Sequence, residues 1–175
     1  MYEVEVKARL QNREEVYKKL LALGCKFSEE LHQIDRVFIP KDVVFPPSID
    51  SGVGVLRVRK SNDKYIFTLK IQQGSRQDSI EKELEISNGD MMVEILKLLH
   101  YQEVPTVDKR RIKANFKDIE IVLDTVKDLG EFIEAEKIVT DANPDARKKI
   151  QEELMNFLIE LGVKKEDQVI DGKYD

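Results

Sequence analysis

The chain has 175 residues, and 29 Lys and Arg against 34 Asp and Glu leave a formal net charge of −5. With 41% hydrophobic residues, a chain of this length can bury roughly two thirds of its unfolded surface, which excludes collagenous and disordered classes and makes a single domain over residues 1–175 the expectation. Charges interrupt every apolar run, so no membrane span is predicted, and the acidic total argues against nucleic acid as a partner.

Cys25 has no second cysteine to pair with, and the start Met1-Tyr2-Glu3-Val4-Glu5 lacks the basic and apolar regions of a secretory signal. A cytoplasmic location is therefore expected. His32 and His100 with one cysteine are too few for a Cys/His zinc site or a Cys–His dyad, so metal chemistry here must use carboxylates.

Tyr2 to Arg9 alternates apolar and charged residues, which predicts a strand. Asn12 with Glu15 forms a capping-box pattern, and Val16, Leu20 and Leu23 repeat at helical spacing before Gly24, predicting a helix over Arg13 to Leu23. Leu31 to Ile39 reads as a second strand closed by Pro40, and the stretch to Gly54 with Pro46, Pro47 and Gly52 as a loop. Strands follow at Val55–Lys60, Tyr65–Ile71 and Ile80–Ile86. A second helix after Ser87-Asn88-Gly89-Asp90 carries Met92, Ile95, Leu96 and Leu99 as its apolar stripe. Three more strands are predicted at Val107–Ala114, Ile119–Val126 and Glu131–Val139. A third helix opens at Asn143-Pro144 and presents Ile150, Leu154, Phe157 and Leu161. Lys164 to Asp175 is polar and reads as a loosely packed tail. Eight strands and three helices make an α+β fold.

The charges occupy alternate strand positions. Glu3, Glu5 and Lys7 share a face, as do Arg57 and Arg59, Lys70, Glu83 and Glu85, Lys109 and Arg111, Asp124, and Glu134 and Glu136. For one strand the plain meaning is a solvated sheet face. Taken together, the strands allow a curled sheet with helices on its apolar outside and an ionic interior, and eight closed strands enclose room for one small ligand. So many buried charges need water or an ionic ligand. The basic set suits phosphate oxygens, and the Glu side chains offer the oxygen donors that Mg²⁺ or Mn²⁺ prefers. In Lys109-Arg110-Arg111-Ile112-Lys113, the strand period divides the basic run between two faces, against a nucleic-acid patch.

Glu3-Val4-Glu5-Val6-Lys7, Leu56-Arg57-Val58-Arg59, Thr68-Leu69-Lys70, Lys82-Glu83-Leu84-Glu85, Lys109-Arg110-Arg111, Leu123-Asp124 and Leu129-Gly130-Glu131-Phe132-Ile133-Glu134-Ala135-Glu136 occur in that order. The ordered set resembles the CYTH superfamily, the triphosphate tunnel metalloenzymes, and is most similar to its prokaryotic class IV adenylyl cyclase-like branch. Tyr174 resembles a tyrosine near that family's C-terminus. The resemblance implies a closed or nearly closed eight-stranded antiparallel barrel with helices outside. It also implies a Mg²⁺- or Mn²⁺-dependent enzyme acting on a nucleoside, organic or inorganic triphosphate, with a homodimer as the family expectation. On this resemblance Lys7, Arg57, Arg59, Lys70, Lys109 and Arg111 bind the triphosphate, Glu3, Glu5, Asp124, Glu134 and Glu136 hold metal, and Glu5, Asp124 and Glu134 are catalytic.

Two departures bear on the reaction. Val37 stands where the family motif around Gln33, Asp35 and Phe38 often has tyrosine, and Ile71-Gln72 follows Lys70 where Gly-Pro is common. Length and branch favour a cyclase converting ATP to cyclic AMP and pyrophosphate. Glu136 and the missing Gly-Pro favour a triphosphatase releasing orthophosphate, and a binding protein without turnover is the third class.

Overall fold

The structure is a computed structural model that describes residues 1–141 and 143–170; Tyr174 lies outside them. Its strands are β1 (Tyr2–Arg9), β2 (Leu31–Pro40), β3 (Val55–Ser61), β4 (Lys64–Ser75), β5 (Asp78–Ile86), β6 (Tyr101–Glu103), β7 (Val107–Phe116), β8 (Ile119–Val126), β9 (Gly130–Val139) and β10 (Gln168–Val169). The helices are α1 (Arg13–Ala22), α2 (Gly89–Leu98) and α3 (Pro144–Glu160). Eight strands pair antiparallel in the order β1-β5-β4-β3-β2-β7-β8-β9, and β9 pairs with β1 from Tyr2↔Val139 to Arg9↔Phe132, so the sheet closes into a barrel. The short β6 extends β2, and β10 pairs with Lys7 and Ala8 of β1.

Period-two alternation places the apolar face of each strand outside. Val4, Val6 and Ala8 of β1, with Ile121, Leu123, Ile133 and Ala135, pack beneath Val16 and Leu20 of α1 and Leu154, Met155 and Leu158 of α3. A smaller core joins Phe38 and Val58 to Val93 and Leu96 of α2. The apolar core of this molecule is therefore a shell between barrel and helices.

Local chemistry sets the helix ends. Asn12 accepts from the Glu15 backbone, Asn88 from Met91, and Asn143 from Asp145 with Pro144 at the first helical position. After α1 the chain turns through Gly24 at φ +84°, where Cys25 N donates to Leu20 O at 3.1 Å.

Three expectations are corrected. α1 ends at Ala22, leaving Leu23 exposed as its cap. α2 buries Val93 and Leu96, while Ile95 and Leu99 face outward, because its contact with the barrel is narrow. The segment expected as a loose tail is held at residues 165–169: Lys165–Asp167 forms a 3₁₀ turn and Gln168–Val169 joins the sheet.

Candidate active site

The inward faces surround a cavity of about 70 Å³, open to solvent, lined by twelve side chains, six acidic and six basic: Glu3, Glu5, Glu81, Glu83, Glu134, Glu136, Arg57, Arg59, Lys70, Lys109, Arg111 and Lys113. Strand register sorts them. β1, β5 and β9 supply the acids; β3, β4 and β7 supply the bases.

On the acidic side, carboxylate oxygens of Glu3, Glu5 and Glu136 all lie within 4.8 Å of one another. Glu5 and Glu136 are direct cross-strand partners, and Glu120 is the partner of Glu136 on its other side. Burial, then Glu81, pushes Glu3 up to about 8 despite Lys70; burial, then Glu3 and Glu120, pushes Glu136 up to about 9. This crowded oxygen set fits a hard divalent cation, which would relieve the repulsion and displace the protons. Lys70 lies across the cavity with its Nζ 3.0 Å from Glu5 and 3.1 Å from Glu81.

An alternating chain of charges joins the lining to the layer behind it. Lys7 Nζ is 2.9 Å from Glu134 Oε1, and Arg111 Nη2 donates to Glu134 Oε2 at 2.8 Å. Arg111 also donates to both oxygens of Asp124 at 2.7 and 2.5 Å, and Lys109 Nζ sits 3.4 Å from Asp124 and 3.7 Å from Asp35. Asp35 accepts two bonds from Arg59 at 2.7 and 2.8 Å. Burial alone would raise Asp35 and Glu134; Arg59 and Lys109 hold Asp35 below the usual carboxylate range, and Arg111, Lys7 and Lys109 hold Glu134 well below it. Burial, with Arg111 adding to it, brings the Lys109 ammonium down to about 8. Arg57 differs from its neighbours: one Nη reaches Thr68 and Glu83 at 3.2 Å, while its buried Nε has no protein partner.

Of the residues expected from sequence, Glu3, Glu5, Arg57, Arg59, Lys70, Lys109, Arg111, Glu134 and Glu136 come together in the lining. Lys7 and Asp124 do not line it. They stand in the layer behind, Lys7 on Glu134 and Asp124 on Arg111. Sequence reasoning missed Glu81, Lys113 and the role of Asp35 on Arg59. Glu81 and Lys113 were within its reach, each two positions from a residue already placed on the inner face. His32 instead pairs with Asp108 on the surface, Nε2 to Oδ1 2.8 Å. No described helix is long and apolar enough to cross a membrane.

The CYTH domain family matches residues 1–172. The chain is 33% identical over 179 residues to "Putative adenylate cyclase MJ0240" of Methanocaldococcus jannaschii, covering 99% of this chain and 97% of that protein. Among solved structures it is similar to the PH1012 protein of Pyrococcus horikoshii OT3, with TM-score 0.77, 30% identity, and 95% and 94% of the two chains covered. It shares its fold with the Hippeastrum protein HpAC1, called a putative adenylyl cyclase with a dominant triphosphatase activity. That match has TM-score 0.57, 20% identity, and 98% and 91% covered. With nine expected residues gathered in one cavity of a closed barrel and the family matched along nearly the whole chain, this protein belongs to the CYTH family and is an enzyme of the CYTH type.

Proposed function

We propose that the protein is a divalent-metal-dependent enzyme acting on a nucleoside triphosphate, a cytoplasmic adenylyl cyclase-like enzyme that converts ATP to cyclic AMP and pyrophosphate. The observation that carries this reading is the division of one cavity between a carboxylate triad and a basic wall. Arg57 supports it, since an unpartnered buried guanidinium nitrogen is matched by an anionic oxygen. The relative named as an adenylate cyclase, at 33% identity over nearly the full chain, supports the cyclase form.

Arg57, Arg59, Lys109, Arg111 and Lys113 would hold the phosphate oxygens, each charge-assisted bond contributing on the order of 1.5–3 kcal/mol. Glu3, Glu5 and Glu136 would hold Mg²⁺ or Mn²⁺, which supplies charge neutralisation at the phosphoryl oxygens and orients the reacting groups. Lys70 is restrained by Glu5 and Glu81 until an anion competes for it. Glu134 and Asp124 keep Arg111 aimed into the cavity, so we assign both to positioning the guanidinium. In the reaction the ribose 3′-hydroxyl gives up its proton to solvent water as its oxygen forms a bond to the α-phosphorus, the bond to the bridging oxygen breaks, and pyrophosphate leaves with its charge met by the basic wall.

One observation favours a second reading, triphosphate hydrolysis. Every lining residue is charged, so the cavity offers phosphate recognition and no apolar or aromatic wall against which a base could pack. Chromatography of products after incubation with Mn²⁺ and either ATP or tripolyphosphate decides between them. Equal amounts of cyclic AMP and pyrophosphate from ATP are expected; orthophosphate from tripolyphosphate with no cyclic AMP from ATP would overturn the cyclase form.

A further inference from the structure

The barrel closes along an uneven seam. β1 shares eight residue pairs with β9 but only two with β5, Glu3↔Ser79 and Val4↔Asp78, after which Glu5 N donates to Gln77 O at 2.9 Å. The stretch of β1 that carries Glu3 and Glu5 is thus the stretch that meets β5. Across the seam β4 and β5 present Lys70 and Glu81, themselves cross-strand partners.

A clip outside the barrel spans this seam. Asp78 and Arg147 are 4% and 3% exposed, and Arg147 Nε donates to both Asp78 oxygens at 2.8 and 2.9 Å. The same guanidinium lies 4.1 Å from the centre of the Tyr2 ring and reaches Asp141 O at 3.2 Å. Beside it Gln77 Nε2 donates to Val169 O at 2.8 Å, and Gln151 Nε2 to Ser75 Oγ at 2.8 Å. α3 and β10 therefore hold the β4–β5 hairpin from outside.

Among the described residues, the buried polar side chains that do not belong to the barrel interior are Gln77, Asp78 and Arg147, and all three sit at this seam. A buried ion pair is a poor source of stability, because apolar residues of the same shape do as well or better. What it supplies is a fixed distance and direction, where apolar contacts tolerate sliding.

We propose that Arg147 and Asp78 are positioning residues for the metal–triphosphate site, setting the spacing between the Lys70–Glu81 wall and the Glu3–Glu5–Glu136 wall. This rests on the function proposed above. β1 and β9 remain paired over eight residues without the clip, so the carboxylate triad outlasts its loss, as do the basic side chains of β3 and β7. The clip acts on the binding of cation and triphosphate together rather than on either alone.

The test is calorimetric titration of the full chain and of Arg147→Met with tripolyphosphate in EDTA and with preformed Mn²⁺–tripolyphosphate, alongside Mn²⁺ alone by electron paramagnetic resonance. In wild type the Mn²⁺ complex binds more tightly than free tripolyphosphate. Arg147→Met should lose about tenfold of that ratio while tripolyphosphate and Mn²⁺ alone stay within about threefold of wild type, the size of effect usual for residues that orient ligand-holding groups. Gln77→Ala removes one arm of the clip and should move the ratio the same way by less, which keeps the test valid if Arg147→Met does not fold. A ratio within about twofold of wild type in the folded variants, or all three affinities falling together with the melting temperature, would overturn the proposal. Wild type that binds neither Mn²⁺ nor tripolyphosphate would remove the function itself, a separate outcome.

Discussion

Glu136 and Glu134 are two residues apart on β9, both line the cavity, and both are largely buried, yet their carboxyl groups are driven in opposite directions. Glu136 meets Glu3, Glu5 and Glu120 and is pushed up to about 9; Glu134 meets Lys7 and Arg111 and is held well below the ordinary range. Asp35, clamped by Arg59, behaves like Glu134, and Glu3 behaves like Glu136. Burial penalises the charge of all four, so the cation alongside decides. The barrel holds two populations of acid: those that already have a cation from the protein and build its frame, and those that lack a full partner and suit a metal.

The sharpest way to break this division is at the frame. Asp124→Ala leaves Arg111 and Lys109 buried without their shared acceptor and should cost about 3–5 kcal/mol in urea unfolding, the size seen when one member of a buried pair is removed. A loss below about 1 kcal/mol would show that Asp124 is no frame residue.

Neighbouring substitutions on β9 should then part company. Glu134→Gln removes charge-assisted bonds to Lys7 and Arg111 and should lower metal-free stability by about 1–3 kcal/mol. Glu136→Gln removes a source of repulsion, so its metal-free melting temperature should stay or rise, while Mn²⁺ affinity falls at least about tenfold. Equal loss of stability in both would merge the two populations.

A smaller effect is expected from pH. The folded pKa values of Glu3 and Glu136 are raised above their ordinary 4.5, so the native state binds more protons than the unfolded chain. Their contribution is complete below pH 4.5 and is lost as pH rises through about 8 and 9, so metal-free melting should fall from pH 5 to 7.5. That window avoids Lys109, which acts with the opposite sign from about 8 upward. Asp35 and Glu134 also act with the opposite sign, their contribution being lost only as the pH falls below the ordinary carboxylate range. Saturating Mn²⁺ should flatten the slope, and Glu136→Gln should reduce it; a flat metal-free profile would mean the triad is not crowded. Smallest of all, Glu14→Gln breaks only the exposed pair with Lys18 and should change stability by less than about 0.5 kcal/mol.

Alternation carried most of this in the sequence. Seven of the eight barrel strands showed a charged face, and ten of the twelve side chains gathered by closure stood on those faces, while Glu85, which alternates with Glu83, lies exposed beside Lys64. What alternation could not show is depth along the barrel: Lys7 and Glu5 share a face, but only the stagger of closed strands puts Lys7 behind Glu134. β6 and β10, at three and two residues, are too short to carry a period. Arg147 is hidden for another reason. On a helix rich in Lys and Glu it reads as one more surface charge, and its partner Asp78 lies 69 residues earlier.

The placement of the apolar shell outside and the charges inside also guards the pairing of every strand. Sliding β1 by one residue would swap its faces, driving Lys7 and Glu5 beneath α1 and α3 and Val4 and Val6 into the ionic cavity. In a sandwich with one wet face, such a slip trades polar and apolar side chains between core and water; here it would also take Lys7 and Glu5 from their buried partners Glu134 and Lys70. Misregistered states are disfavoured twice over, so the barrel can afford a seam of only two residue pairs.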